Sequence, residues 1–138
     1  MEKKNSSGFR EVEHTADWAM EVWAPDLEGL FTQAALGLYR LMGVRLADAP
    51  GVSRQLEVSS ADPESLLVAF LSELLFRAET RRVAFDRIIL QCNGLSLQAQ
   101  FEEKPLVAQA RLVKAVTYHD LAILQAEDGW KVKIVFDV

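Results

Sequence analysis

Residues 83–101 read VAFDRIILQCNGLSLQAQF. Two apolar runs flank Asn93-Gly94, a dipeptide suited to a tight type I′ turn because both central residues of that turn need positive φ. Past it, Leu95, Leu97, Ala99 and Phe101 alternate with Ser96, Gln98 and Gln100, the period of a strand with one face on a core and the other in water. The stretch therefore predicts an antiparallel hairpin. Downstream, Lys104-Pro105 reads as a break, QARLVKAVTYH (109–119) and LAILQAE (121–127) as strands, and Asp128-Gly129 as a second type I′ turn into WKVKIVFDV (130–138).

Upstream the pattern changes to helices. Asp26 is placed to cap a helix from Leu27 to about Met42, where Leu30, Phe31, Ala34, Leu38, Leu41 and Met42 recur at three- and four-residue spacing and Gly43 ends the run. Asp62 with Pro63 starts a second helix, expected to reach about Glu79. Its apolar positions, Leu66, Leu67, Ala69, Phe70, Leu71, Leu74, Leu75 and Ala78, cover more than half its circumference, so it is expected to be the more deeply buried of the two. FREVE (9–13), WAMEVWA (18–24) and VSRQLEVSS (52–60) read as further strands. Residues 1–8 lack periodicity and read as a flexible lead to one domain over 9–138. The fold class is α+β: a single domain of two amphipathic helices packed on a mostly antiparallel β-sheet built largely from hairpins.

Composition narrows the function. The chain has 138 residues, half of them apolar, and a net charge of -5. No window approaches the roughly 18 uninterrupted apolar residues of a membrane span, and MEKKNSSG lacks the apolar centre of a secretory signal, so a cytoplasmic location with no membrane partner is expected. The lone Cys92 cannot form an internal disulfide and reads as an inert thiol. Basic clusters are confined to the first residues and Arg81-Arg82, and no basic face that would grip a phosphate backbone is visible. Phosphate-binding glycine loops, GxSxG and paired metal-binding motifs such as CxxC or HExxH are absent from the sequence.

Asp137 sits one residue before the last, Val138, at the end of an apolar strand whose alternation turns it away from the core. Its carboxylate and the terminal carboxylate on Val138 are read as two anionic groups so close that they repel one another unless hydrated, protonated or neutralised by a cation; a solvated chain end is the plain alternative. An early aspartate, Asp17, lies in EHTAD (13–17), where Thr15 and Asp17 also suit a simple turn. Hard oxygen donors of this kind suit calcium, manganese or magnesium better than zinc. Glu73 interrupts an otherwise apolar helix face and either reaches a solvated edge or points into the same site as Asp17. Lys114 poses the same choice, and His14 and His119 are either structural hydrogen-bonding groups or companions of that site.

EHTAD followed by a strand, a helix carrying AALGLYRLM, then LLVAFLSELLF, VKAVTYHDLAI, DGW and a terminal FDV together resemble the archease family from about Phe9 to Val138. The resemblance implies the α+β fold above and a non-catalytic protein cofactor of an RtcB-type RNA ligase. Such a cofactor promotes guanylylation of the GTP-dependent ligase and its multiple turnover in tRNA splicing and RNA repair. RNA and GTP would then be met only indirectly, through the ligase. It further implies a metal site at Asp17, Asp137 and Val138; the donor chemistry puts calcium first with manganese or magnesium as alternatives, and the reading of the residues themselves adds His14, Glu73, Lys114 and His119 as supporting or partner-contact candidates. Trp18 departs from the family pattern, which has a smaller aliphatic residue there. Two other classes stand beside this one: a small metal-dependent hydrolase using the same aspartates, and a chaperone-like interaction module.

Overall fold

A computed structural model describes residues 6–12 and 18–138. Within them, nine strands and two helices follow in the order β1 (Gly8–Val12), β2 (Trp18–Ala24), α1 (Leu27–Met42), β3 (Arg45–Leu46), β4 (Val52–Ser59), α2 (Pro63–Arg81), β5 (Val83–Asn93), β6 (Ser96–Ala108), β7 (Ala115–Val116), β8 (Leu124–Ala126) and β9 (Gly129–Asp137). They form two antiparallel sheets rather than one. The first has the order β1-β2-β9-β7, with β8 also on β9; the second has the order β3-β6-β4, with β5 also on β6.

The helices start and stop where their end residues make them. The Asp26 carboxylate accepts from the Gly29 amide at 2.6 Å, and Gly43 closes α1 in the left-handed conformation at φ 65°. Asp62 accepts from Ser65 N at 2.7 Å ahead of Pro63, while α2 runs on to Arg81 because its left-handed cap is Arg82 rather than a glycine. The expected ranking of burial is reversed. Nine of the sixteen α1 residues are buried against eight of the nineteen in α2, since α1 is packed on both the β1-β2 hairpin and β5. Phe31, Phe70, Phe136, Met20 and a set of leucines from both helices are fully buried in one continuous core.

Three features of the strands depart from the expected pattern, each through backbone hydrogen bonding. Asn93 pairs with Ser96, so the β5-β6 loop is Gly94-Leu95, and of these only Gly94 has positive φ; the turn has the type II′ requirement, glycine first, instead of type I′. In the same way Ala126 pairs with Gly129, leaving Glu127-Asp128 as the β8-β9 loop. Gly129 itself lies at φ 134°, where an added Cβ would stand 2.5 Å from the Ala24 carbonyl oxygen.

Pro105 does not break β6. Its carbonyl accepts from Ala47 N at 2.9 Å, while the next residue, Leu106, donates to Arg82 O on the opposite side at 2.8 Å. A residue's N and C=O point to one side of a strand, so the proline nitrogen faces the gap between β4 and β3, where the ladder requires no donor. Residues 109–114, expected as strand, instead fold back on α1: the amides of Ala110 and Arg111 both donate to Met42 O, at 2.9 and 3.0 Å. Those amides satisfy the carbonyl end of the helix and cannot enter a ladder.

The second sheet has two different margins. Along β5, Phe85 N donates to the Tyr39 hydroxyl at 3.0 Å and Cys92 N to the Glu28 carboxylate at 2.7 Å, both acceptors coming from α1. β4, on the far side, pairs only with β6 among the described residues and is largely exposed.

Candidate metal tip at the meeting of β2, β7 and β9

β9 positions Asp137 by alternation. Val132, Ile134 and Phe136 face the core, with Phe136 fully buried, and Asp137 projects outward and exposed. Its surroundings come from distant parts of the chain. Ala115 pairs with Asp137 and Val116 with Phe136, and the Lys114 amide donates to the Asp137 carbonyl at 2.8 Å. On the other edge of β9, Phe136 pairs with Trp18. Val138 packs partly on the core.

His14 and Asp17 lie outside the described residues. Asp17 is bonded to Trp18, and Asp137 to Phe136, so each proposed aspartate is one peptide bond from a member of the same cross-strand pair. Among the described residues no group of three or more His, Cys, Asp or Glu is gathered for a metal. Of the proposed donors the described residues include Asp137, whose exposed carboxylate is a hard oxygen donor of the kind calcium, manganese or magnesium takes, and Val138.

The remaining candidates separate. Lys114 is beside Asp137, its backbone bonded there and its side chain exposed. Glu73 is engaged elsewhere: it accepts from Arg77 Nε at 3.0 Å, one α2 turn later, and Arg77 in turn faces Glu103 at 3.6 Å. After Val116 the chain moves down β9, with Thr117 N donating to Val135 O, before it reaches His119. His119 is exposed and its Nε2 is 3.3 Å from the Asp120 carboxylate.

One neighbour of the tip escapes sequence reading. The Arg111 guanidinium lies over the Trp18 ring, 4.6 Å from its centroid, and 3.5 Å from the Glu11 carboxylate. These residues are far apart in sequence, and only the docking of 110–111 on the end of α1 brings them together. The cation–π contact gives the departure at Trp18 a structural partner.

Two groups, buried Tyr39 and half-buried Cys92, are shifted toward their neutral forms. Burial pushes the Tyr39 hydroxyl well above its ordinary range, which suits its role as acceptor for Phe85 N. Burial, then the Glu28 and Asp26 carboxylates, push the Cys92 thiol up to about 11. Its thiolate fraction at pH 8 should be about a hundredfold below that of a thiol titrating near 9. Iodoacetamide should therefore label Cys92 slowly at pH 8 and faster as pH approaches 11; labelling at the rate of free cysteine at pH 8 would contradict the raised thiol.

The fold is a two-helix, two-sheet α+β domain in which the first hairpin is paired with the last strand, and none of the described helices is long and apolar enough to cross a bilayer. Residues 9–138 match the model of the archease protein family, and the chain belongs to that family. It is 31% identical over 140 residues to the protein archease of Methanosarcina barkeri, covering 94% of this chain and 95% of the relative. The solution structure of Methanobacterium thermoautotrophicum protein 1598 superposes with a TM-score of 0.68 at 29% identity, covering 95% of this chain and 99% of that one. The crystal structure of a Thermotoga maritima archease, described as a possible chaperone, superposes at 0.71 over 94% of this chain and 96% of that one; at 24% identity this likeness is one of fold.

Proposed function

We propose that this chain is a protein cofactor of an RtcB-type RNA ligase in tRNA splicing and RNA repair, and that Asp17, Asp137 and Val138 hold a divalent cation, calcium first, for that work. The observation that carries the reading is the pairing of Trp18 with Phe136, which ties the two aspartate-bearing segments to one ladder. Lys114 adds a cation at the same point, its backbone fixed on the Asp137 carbonyl. A bound ion would supply positive charge next to phosphate oxygens, which nucleotidyl transfer needs. The protein's own part is to fix the Asp137 carboxylate on a strand whose inner face is buried, so that it enters a partner's site already oriented. His119 is led away from Asp137 and makes a poor general base for the hydrolase alternative.

The test is multiple-turnover RNA ligation by the ligase with this protein added. Asp17→Ala and Asp137→Ala, each checked for an unchanged melting temperature, are expected to lose most of the stimulation. Full stimulation by both variants would refute the metal tip, and RNA-independent hydrolysis by the isolated protein with manganese would favour the enzyme reading.

A further inference from the structure

One guanidinium joins the two strands that flank residues 13–17. Among the described residues the β1-β2 ladder ends at the pair Val12 and Ala19, so Trp18 stands one residue past it, held on its other edge by Phe136. Arg111 bridges that open end. Its Nη1 is 3.5 Å from the Glu11 carboxylate of β1. Its guanidinium carbon lies 4.6 Å from the centroid of the Trp18 ring, within the roughly 6 Å over which a cation is attracted to an aromatic face.

The ion pair is not what fixes the arginine. Its two side chains are 45% and 50% exposed, and a pair so open to water contributes little. The backbone of Arg111 is the fixed point. Its amide donates to Met42 O at 3.0 Å, and its carbonyl accepts from the Gln109 side chain at 2.9 Å. A Cβ on Gly43 would come within 2.6 Å of the Ala110 Cβ, so residues 110 and 111 sit directly against the end of α1. From that platform the planar group takes Trp18 on its face and Glu11 at one nitrogen, a division that a lysine ammonium reproduces only in part.

Charge and position make opposite demands at this point. A guanidinium near a divalent cation repels it, so if charge dominated, removing Arg111 would tighten metal binding. A group that orients the ligands without touching the ion does the reverse, and losing one weakens binding about 10–100-fold. Trp18 is bonded to Asp17, and its pair Phe136 is bonded to Asp137. We propose, resting on the metal reading above, that Arg111 is a positioning residue for the cation site: braced on α1, it clamps Glu11 to Trp18 and holds the backbone that leads into Asp17.

Isothermal titration calorimetry of the isolated full-length protein with calcium, and separately with manganese, tests it. Asp137→Ala should lose binding. Arg111→Ala should bind the ion about tenfold or more weakly than wild type, and Arg111→Lys should recover part of the loss. Trp18→Phe keeps a ring face and should bind nearly as wild type. In a Trp18→Leu background, Arg111→Ala should add little further loss, because the two residues act through one contact. Without metal, Arg111→Ala should melt within about 4 °C of wild type, which separates positioning from a folding defect. Binding by Arg111→Ala as tight as wild type or tighter, the full loss repeated in the Trp18→Leu background, or a much larger fall in melting temperature would overturn the positioning role and leave the metal site standing. Failure of wild type to bind either ion would remove both.

Discussion

Phe136→Ala is expected to cost about 3–5 kcal/mol of stability, the range for emptying a fully buried aromatic site. For a chain of this length the melting temperature should fall by roughly 10–20 °C. The side chain is fully buried, and its backbone is paired with Trp18 on one edge and Val116 on the other. The cavity would therefore open at the base of the candidate tip, beneath the residue that precedes Asp137. Urea unfolding followed by circular dichroism gives the value, and a loss below about 1 kcal/mol would contradict the packing. Asp137→Ala is the useful contrast. Its carboxylate is exposed, so stability should change by no more than about 0.5 kcal/mol. One variant thus tests the scaffold of the tip and its neighbour tests the chemistry.

Arg77→Ala should be comparably damaging, by about 3–5 kcal/mol, for an electrostatic reason. The Arg77 side chain is only 15% exposed; it is 3.0 Å from Glu73 and 3.6 Å from Glu103, and its guanidinium lies 5.4 Å over the Phe85 ring. Glu103 is 8% exposed and its Oε2 has no hydrogen-bond partner among the described residues, so it depends on the charges of Arg77, Arg54 and Arg81 around it. Removing the most buried of these arginines leaves the buried carboxylate only the two more exposed ones, Arg54 and Arg81. Replacing both partners with apolar residues, Arg77→Met with Glu103→Leu, should recover most of the loss, because the penalty belongs to the unpaired charge. If the double variant is as unstable as the single one, packing of the arginine on Phe85 and Phe101 matters more than its charge. Arg10→Ala breaks a pair exposed to water and should cost under about 1 kcal/mol.

The helices were legible because their signals are local. Asp26 and Gly43 mark both ends of α1 through bonds to residues three or four positions away, and the boundaries agree with the sequence to the residue. Strand ends were less legible because they depend on which backbone groups find partners across the molecule. QARLVKAVTYH alternates like a strand, yet the amides of Ala110 and Arg111 are taken by Met42 of α1, and only Ala115 and Val116 remain in a ladder. Pro105 looks like a stop until the switch from β4 to β3 leaves its nitrogen with nothing to donate to.

The site divides along the same line. Asp137 was legible from the alternation of β9, and Lys114 beside it is now fixed by a hydrogen bond. Glu73 was ambiguous by spacing alone, since its partner Arg77 is itself held by Glu103 from a remote strand. Trp18 with Arg111 could not be read at all, because the contact joins a strand to a distant loop.

The two margins of the second sheet give the molecule a direction in which it can stick to its own kind. Amides on β5 are spoken for by Tyr39 and Glu28, so an incoming strand finds few free donors there. β4 offers a bare ladder guarded only by the charges of Arg54 and Glu57. Should this protein precipitate on heating or overexpression, fibre-like growth would start from Val52–Ser59, and a single lysine or proline placed in that strand is the economical remedy.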